Sequence, residues 1–152
     1  MRSFFIKVSR AILALFGVTV FTACPVMYAT PYSDYEIKGK VVDEITKEPV
    51  KGVRVIRSKA YPSEGQIKVD EYDKDTLYTN DGTFMFSGTE YTFGGYSHIK
   101  VEDIDSLENG LYESNEVLVE LTQVKRPKPN GWFQGLYQAD NVTVELTPKK
   151  SE

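Results

Sequence analysis

The sequence predicts an all-β protein, a single antiparallel β-sandwich of about seven short strands, preceded by an N-terminal lipoprotein signal peptide. Three observations carry this. Apolar and polar residues alternate at period two in one segment after another from Tyr35 onward, turn-forming residues separate those segments, and no helical apolar stripe follows residue 30.

The chain opens with "MRSFFIKVSR", which holds Arg2, Lys7 and Arg10 and no acid, followed by the apolar run "AILALFGVTVF". These are the charged and hydrophobic regions of an export signal. Thr22 and Ala23 then lead into Cys24, the only cysteine of the 152 residues. Small residues before a lone thiol fit cleavage between Ala23 and Cys24 and attachment of a diacylglyceryl group to the sulfur. The rival expectation is an uncleaved anchor, because residues 11–29 are free of charge and approach the roughly 20 residues that span a bilayer. Pro25 and Gly17 dilute that stretch. The expected division is a signal at 1–23, a lipidated tether at 24–34, the sandwich at 35–148 and a polar tail at 149–152.

Cleavage removes the three basic residues of the signal, leaving 15 Lys and Arg against 22 Asp and Glu, a net charge of −7. A body so acidic argues against nucleic acid and anionic surfaces as ligands. No second thiol exists for a disulfide, so the domain has to be held by packing.

In the first strand Tyr35, Ile37, Gly39 and Val41 share one face, with Glu36, Lys38 and Lys40 on the other. Turn formers fill residues 43–52, and "VRVIRS" resumes the alternation with Val53 and Val55 inward, giving a hairpin or a sheet-crossing pair. Asp81-Gly82 sits between two strand-like runs in "DTLYTNDGTFMF" and predicts a hairpin. Further strands are expected at 97–105, 115–122 and 140–147.

The run "IKGKVVDEITKEPVKGVRV" at 37–55, followed by Thr79, Asp81, Gly82, Phe84 and Phe86, resembles the opening of carboxypeptidase-regulatory-like, transthyretin-related sandwiches. More narrowly, the signal with Cys24, "MYATPYSDYEIKGKV" at 27–41, "VEDIDSLENGLY" at 101–112 and "GWFQGLY" at 131–137 resemble the bacterial family of radical-SAM-associated lipoproteins. The resemblance implies a lipoprotein of the outer membrane, on its periplasmic or surface face, held by its lipid and functionally associated with a radical SAM enzyme. The residues themselves offer one histidine and one cysteine expected to be acylated, so no catalytic activity, cofactor or metal is expected.

Candidate sites are few. His98 is the only histidine, in an expected strand with no serine elbow near it. A pocket gathering His98 with two carboxylates would be the mark of a hydrolase, the least supported alternative. "DIDSLENG" at 103–110 has oxygen-bearing residues but breaks the EF-hand order at Leu107 and Glu108, and reads as an acidic turn. "DEYDKD" at 70–75 reads as an acidic loop. Residues 124–137 group Lys125, Arg126 and Lys128 with Trp132, Phe133 and Tyr137. Such aromatics could contact a protein or glycan ligand, or Trp132 could cover the open end of the sandwich. Thr76 and Ser106 sit in Asp-Ser/Thr-aliphatic triplets that fit a bacterial O-glycosylation acceptor. The alternative to a binding module is that the protein is itself the substrate of the radical SAM enzyme.

Overall fold

Apolar residues two apart turn the segment after Tyr32 into a strand with one buried face: Tyr35, Ile37 and Val41 are enclosed while Lys38 and Lys40 meet solvent. The same rule recurs along the computed structural model, which describes residues 30–91, 95–105, 110–126 and 131–149. Its strands are β1 (Tyr32–Asp43), β2 (Val53–Ser63), β3 (Gln66–Thr79), β4 (Thr83–Glu90), β5 (Tyr96–Asp103), β6 (Asn115–Glu120), β7 (Thr122–Lys125) and β8 (Phe133–Leu146). They form two four-stranded sheets, ordered β4-β1-β8-β7 and β3-β2-β5-β6, that pack face to face as a sandwich. Among the described residues no helix is long and apolar enough to cross a membrane. The spanning alternative at 11–29 lies outside them.

Every paired neighbour is antiparallel except β1 and β8, which run parallel from Tyr32↔Phe133 to Asp43↔Leu146. The core between the sheets holds Ile37, Val41, Val53, Val55, Phe84, Phe86, Ile99, Val101, Val144 and Leu146.

Two connections carry the chain from one sheet to the other by means of an aspartate. After β1, Asp43 Oδ1 accepts the N–H groups of Ile45 and Thr46 at 2.7 and 2.8 Å, so β1 and β2 are the sheet-crossing pair and not a hairpin. After β3, Asp81 Oδ1 accepts from the Thr83 N–H at 2.9 Å and the Thr83 hydroxyl at 2.8 Å. The hairpin expected at Asp81-Gly82 is therefore corrected: β3 pairs with β2 and β4 with β1, so this turn also changes sheets. A turn dipeptide reports reversal of the chain, not which strand becomes the partner. Gly82 has φ +81°, and a Cβ there would lie 2.8 Å from Pro49 Cβ.

The single strand expected at 115–122 is two. The chain leaves β6 in one sheet, buries Leu121, whose N–H donates to Gly95 O at 2.8 Å, and enters β7 in the other. That break makes eight strands. The end of the expected tether, Tyr32 to Asp34, already belongs to β1. Residues 70–75 form no free loop but part of β3. Ser58 pairs with Lys74 and Ala60 with Val69, so the four residues 70–73 bulge opposite Lys59, and Asp70 Oδ1 accepts the N–H of Tyr72 at 2.9 Å. A two-residue hairpin joins β2 to β3 and turns on Glu64 and Gly65, both left-handed at φ 54° and 78°.

Candidate functional site

The inner faces of the sandwich change character along their length. In β2 the inward residues run Val53, Val55, Arg57, Lys59, and in β4 they run Phe84, Phe86, Gly88, Glu90. In β5 they run Val101, Ile99, Ser97. The end near the Asp81 turn is thus apolar and the far end is polar. At that end, away from the turn that ties β3 to β4, the two edge strands part around a cleft of about 390 Å³.

Arg57 organises its floor. The side chain is 1% exposed, so its charge has to be met by protein groups. Its Nη2 donates to Glu90 Oε1, its Nε to Ser97 Oγ at 3.2 Å, and its Nη1 lies 3.5 Å from Asp75 Oδ2. The guanidinium also stacks over the Tyr35 ring, 4.0 Å from the centroid, and the Tyr35 hydroxyl donates to Asp75 Oδ2 at 2.8 Å. Burial, and secondarily the bond to Asp75, pushes the Tyr35 phenol above the ordinary tyrosine range. Gly88 leaves room for that ring, since a Cβ there would lie 2.9 Å from the Tyr35 hydroxyl oxygen. Glu90 is 5% exposed; its Oε2 has Lys59 Nζ at 4.0 Å but no hydrogen-bond partner. Asp73 and Asp75 form the β3 wall, and Tyr91 stands at the rim.

Of the residues singled out from sequence, Ala23, Cys24, Ser106 and Lys128 are among those outside the described residues. Trp132 is 51% exposed, so it does not cover the sandwich end. Its carbonyl accepts the Tyr32 N–H at 3.0 Å. Phe133 packs against Tyr32 with ring centroids 5.6 Å apart, and Lys125 Nζ lies 6.0 Å from its centroid. Tyr137 is half-buried and packs against the core. Thr76 is exposed on β3, opposite Ile56.

His98 sits in a shallow groove of about 510 Å³ on the outer face of the second sheet, together with Glu71, Glu102 and Glu116. Its Nε2 is 3.4 Å from Glu116 Oε2. A histidine with carboxylates is thus gathered, but Glu102 is held by Lys100 at 2.7 Å and Arg54 at 3.0 Å, and the bond to Lys100, followed by that to Arg54, keeps its pKa below the usual range. The groove is a charge network on an open sheet face. Among the described residues no cluster of three or more His, Cys, Asp or Glu side chains could hold a metal ion. Part of the 103–110 segment lies outside them; within it, Asp103 Oδ2 accepts the Tyr112 N–H at 2.9 Å.

No family model matches the chain, and no curated protein matches it. Solved structures similar to it include the group B streptococcus pilus 2b backbone protein (16% identity, 74% of this chain and 40% of that one, TM-score 0.45). Hydroxyquinol 1,2-dioxygenase from Pseudomonas putida DLL-E4 is 11% identical over 77% of this chain and 57% of that one, TM-score 0.47. Catechol 1,2-dioxygenase from Pseudomonas arvilla C-1 is 9% identical over 82% and 55%, TM-score 0.49. The chain spans about half the length of these proteins. At such identities and TM-scores, their activities carry nothing over to this chain.

Proposed function

We propose that the protein is a lipid-anchored, exported bacterial lipoprotein of the outer membrane, whose sandwich is a non-catalytic binding or structural module working beside a radical SAM enzyme. The observation that carries this reading is the placement of Cys24: it closes a signal-like run, and only seven residues separate it from Tyr32, where β1 begins. Seven extended residues reach about 25 Å at most, so lipid on Cys24 would hold the cleft and sheet faces close to the membrane surface. Each buried methylene contributes roughly 0.8 kcal/mol, and two or more acyl chains hold a protein durably. The binding role draws on the polar cleft, with its charges already positioned by buried partners.

Replacement of Cys24 by Ala followed by cell fractionation tests the anchor. Release from the membrane fraction, or retention of an unprocessed precursor, is the expected outcome. A variant that stays membrane-bound at the size of the mature wild type would overturn it. Intact-mass measurement with and without the radical SAM enzyme tests the substrate reading, for which an unchanged mass is fatal. A hydrolase reading draws on the His98 groove, and an activity insensitive to His98→Ala would dismiss it.

A further inference from the structure

We propose that the cleft between β3 and β4 binds a small cationic amine, its ammonium group lodged among the carboxylates of Asp73, Asp75 and Glu90. The proposal rests on the binding-module reading above and supplies the ligand class that reading lacks. The cleft, at about 390 Å³, falls in the size range of small-molecule sites.

Charge selects the ligand. Three carboxylates line the cleft against two cations, Arg57 and Lys59. Arg57 is spent within the protein, on Glu90, Asp75, Ser97 and the Tyr35 ring. An incoming anion would therefore meet an excess of negative charge, whereas a cation restores balance.

The second observation is independent of the charge count. Glu90 Oε2 is buried and accepts no hydrogen bond, and Lys59 Nζ at 4.0 Å lies beyond hydrogen-bond reach of it. A carboxylate oxygen withdrawn from water without a donor is costly. An ammonium N–H entering beside it supplies that donor in charge-assisted form. Tyr91, 67% exposed, adds an aromatic ring to the rim of the same cleft. Asp73 stands on the β3 bulge, the one place where that edge departs from regular pairing, and so presents its carboxylate to the opening.

The test is calorimetric titration of the full-length protein in detergent micelles at low salt with 1,5-diaminopentane, with glutarate as the dianion of equal chain length and sorbitol as the neutral polyol. Saturable binding of the diamine alone is expected. Asp73→Asn, an exposed change, is expected to weaken it roughly tenfold, the loss of one charge-assisted contact. Glu120→Gln, an exposed acid of β6 away from the cleft, is expected to leave it unaltered. The proposal is overturned by absence of saturable diamine binding up to about 10 mM, by equal binding of glutarate or sorbitol, or by an affinity that Asp73→Asn does not lower. Equal weakening by Glu120→Gln, which would reveal general attraction to an acidic body, overturns it too. None of these outcomes touches the fractionation of Cys24→Ala, so failure of the amine site and failure of the lipoprotein reading are told apart.

Discussion

Arg57 and Glu90 form a buried ion pair that crosses the sandwich, joining β2 of one sheet to β4 of the other at side-chain exposures of 1% and 5%. Removing one member of such a pair strands the other charge away from water. Glu90→Ala should lower unfolding stability by roughly 3 to 5 kcal/mol. The double change Arg57→Met with Glu90→Leu, which removes both charges, should cost less than Glu90→Ala alone. Urea unfolding midpoints of the three proteins decide it. Equal losses for the single and double variants would show that packing, and not charge, dominates there.

Gly82 and Gly65 separate two costs that are usually mixed. Both have positive φ, at 81° and 78°, but a Cβ at Gly82 meets Pro49 at 2.8 Å whereas one at Gly65 meets nothing within 4 Å. Gly65→Ala should lose only the conformational preference, about 1 kcal/mol. Gly82→Ala should lose that and a further 1 to 3 kcal/mol, roughly, for displacing the turn that hands the chain from β3 to β4. Thermal unfolding of both variants reads the difference.

Stability should fall at alkaline pH. The Tyr35 phenol ionises near 10.0 in the unfolded chain and higher in the folded one. Its contribution is thus complete below pH 10 and is lost as pH climbs from there through the folded-state value. Tyr112 is raised in the same direction, chiefly by burial and then by its bond to Asp43, so Tyr35→Phe should flatten the alkaline limb in part and not wholly. Urea unfolding between pH 8 and 11 (roughly the range that brackets the tyrosine titration) is the measurement.

The acid limb has a different source. Asp43 is held below its ordinary 3.8 first by the Thr46 N–H and, among the other donors, by the Ile45 N–H and the Tyr112 hydroxyl. Its contribution is present above pH 3.8 and disappears as pH drops through the folded-state value. Asp43→Asn should make stability less sensitive to pH in that window. An unchanged acid limb would place the titrating group elsewhere.

Trp132 and Ile99 should behave oppositely. Trp132 is half in solvent, so Trp132→Ala should cost about 1 kcal/mol or less. Ile99 is fully enclosed, and Ile99→Ala should cost roughly 2 to 5 kcal/mol. A large loss at Trp132 would restore it as a cover for the domain.

Much of the sandwich is legible in period-two alternation because each strand buries one face. β1, β2, β5 and β8 show it plainly, and the inward sets Val53 and Val55, or Val144 and Leu146, follow from phase alone. β3 is legible only at its end, in the strand-like run before Asp81, and its first part is hidden for the converse reason. As an edge strand exposed on most of both faces, it needs no apolar alternation, and its acidic bulge mimics a loop. Partner choice was also invisible, since Asp81-Gly82 encodes a reversal and not a destination. The cleft was more legible than it looked: Arg57 and Lys59 continue the phase of Val53 and Val55, and Glu90 continues that of Phe84 and Phe86. Charges in register with an apolar face are the trace of a buried polar site. What the sequence lacks is any sign that these two runs face each other.

The parallel union of the first and last strands has a mechanical meaning. Tension on the two chain ends pulls at the Tyr32 end of β1 and at the Leu146 end of β8, which lie at opposite ends of their shared ladder. The load then falls in shear across the whole set of rungs at once, and no single rung can be peeled before the next. A tug on the termini therefore meets the fold along its most resistant direction.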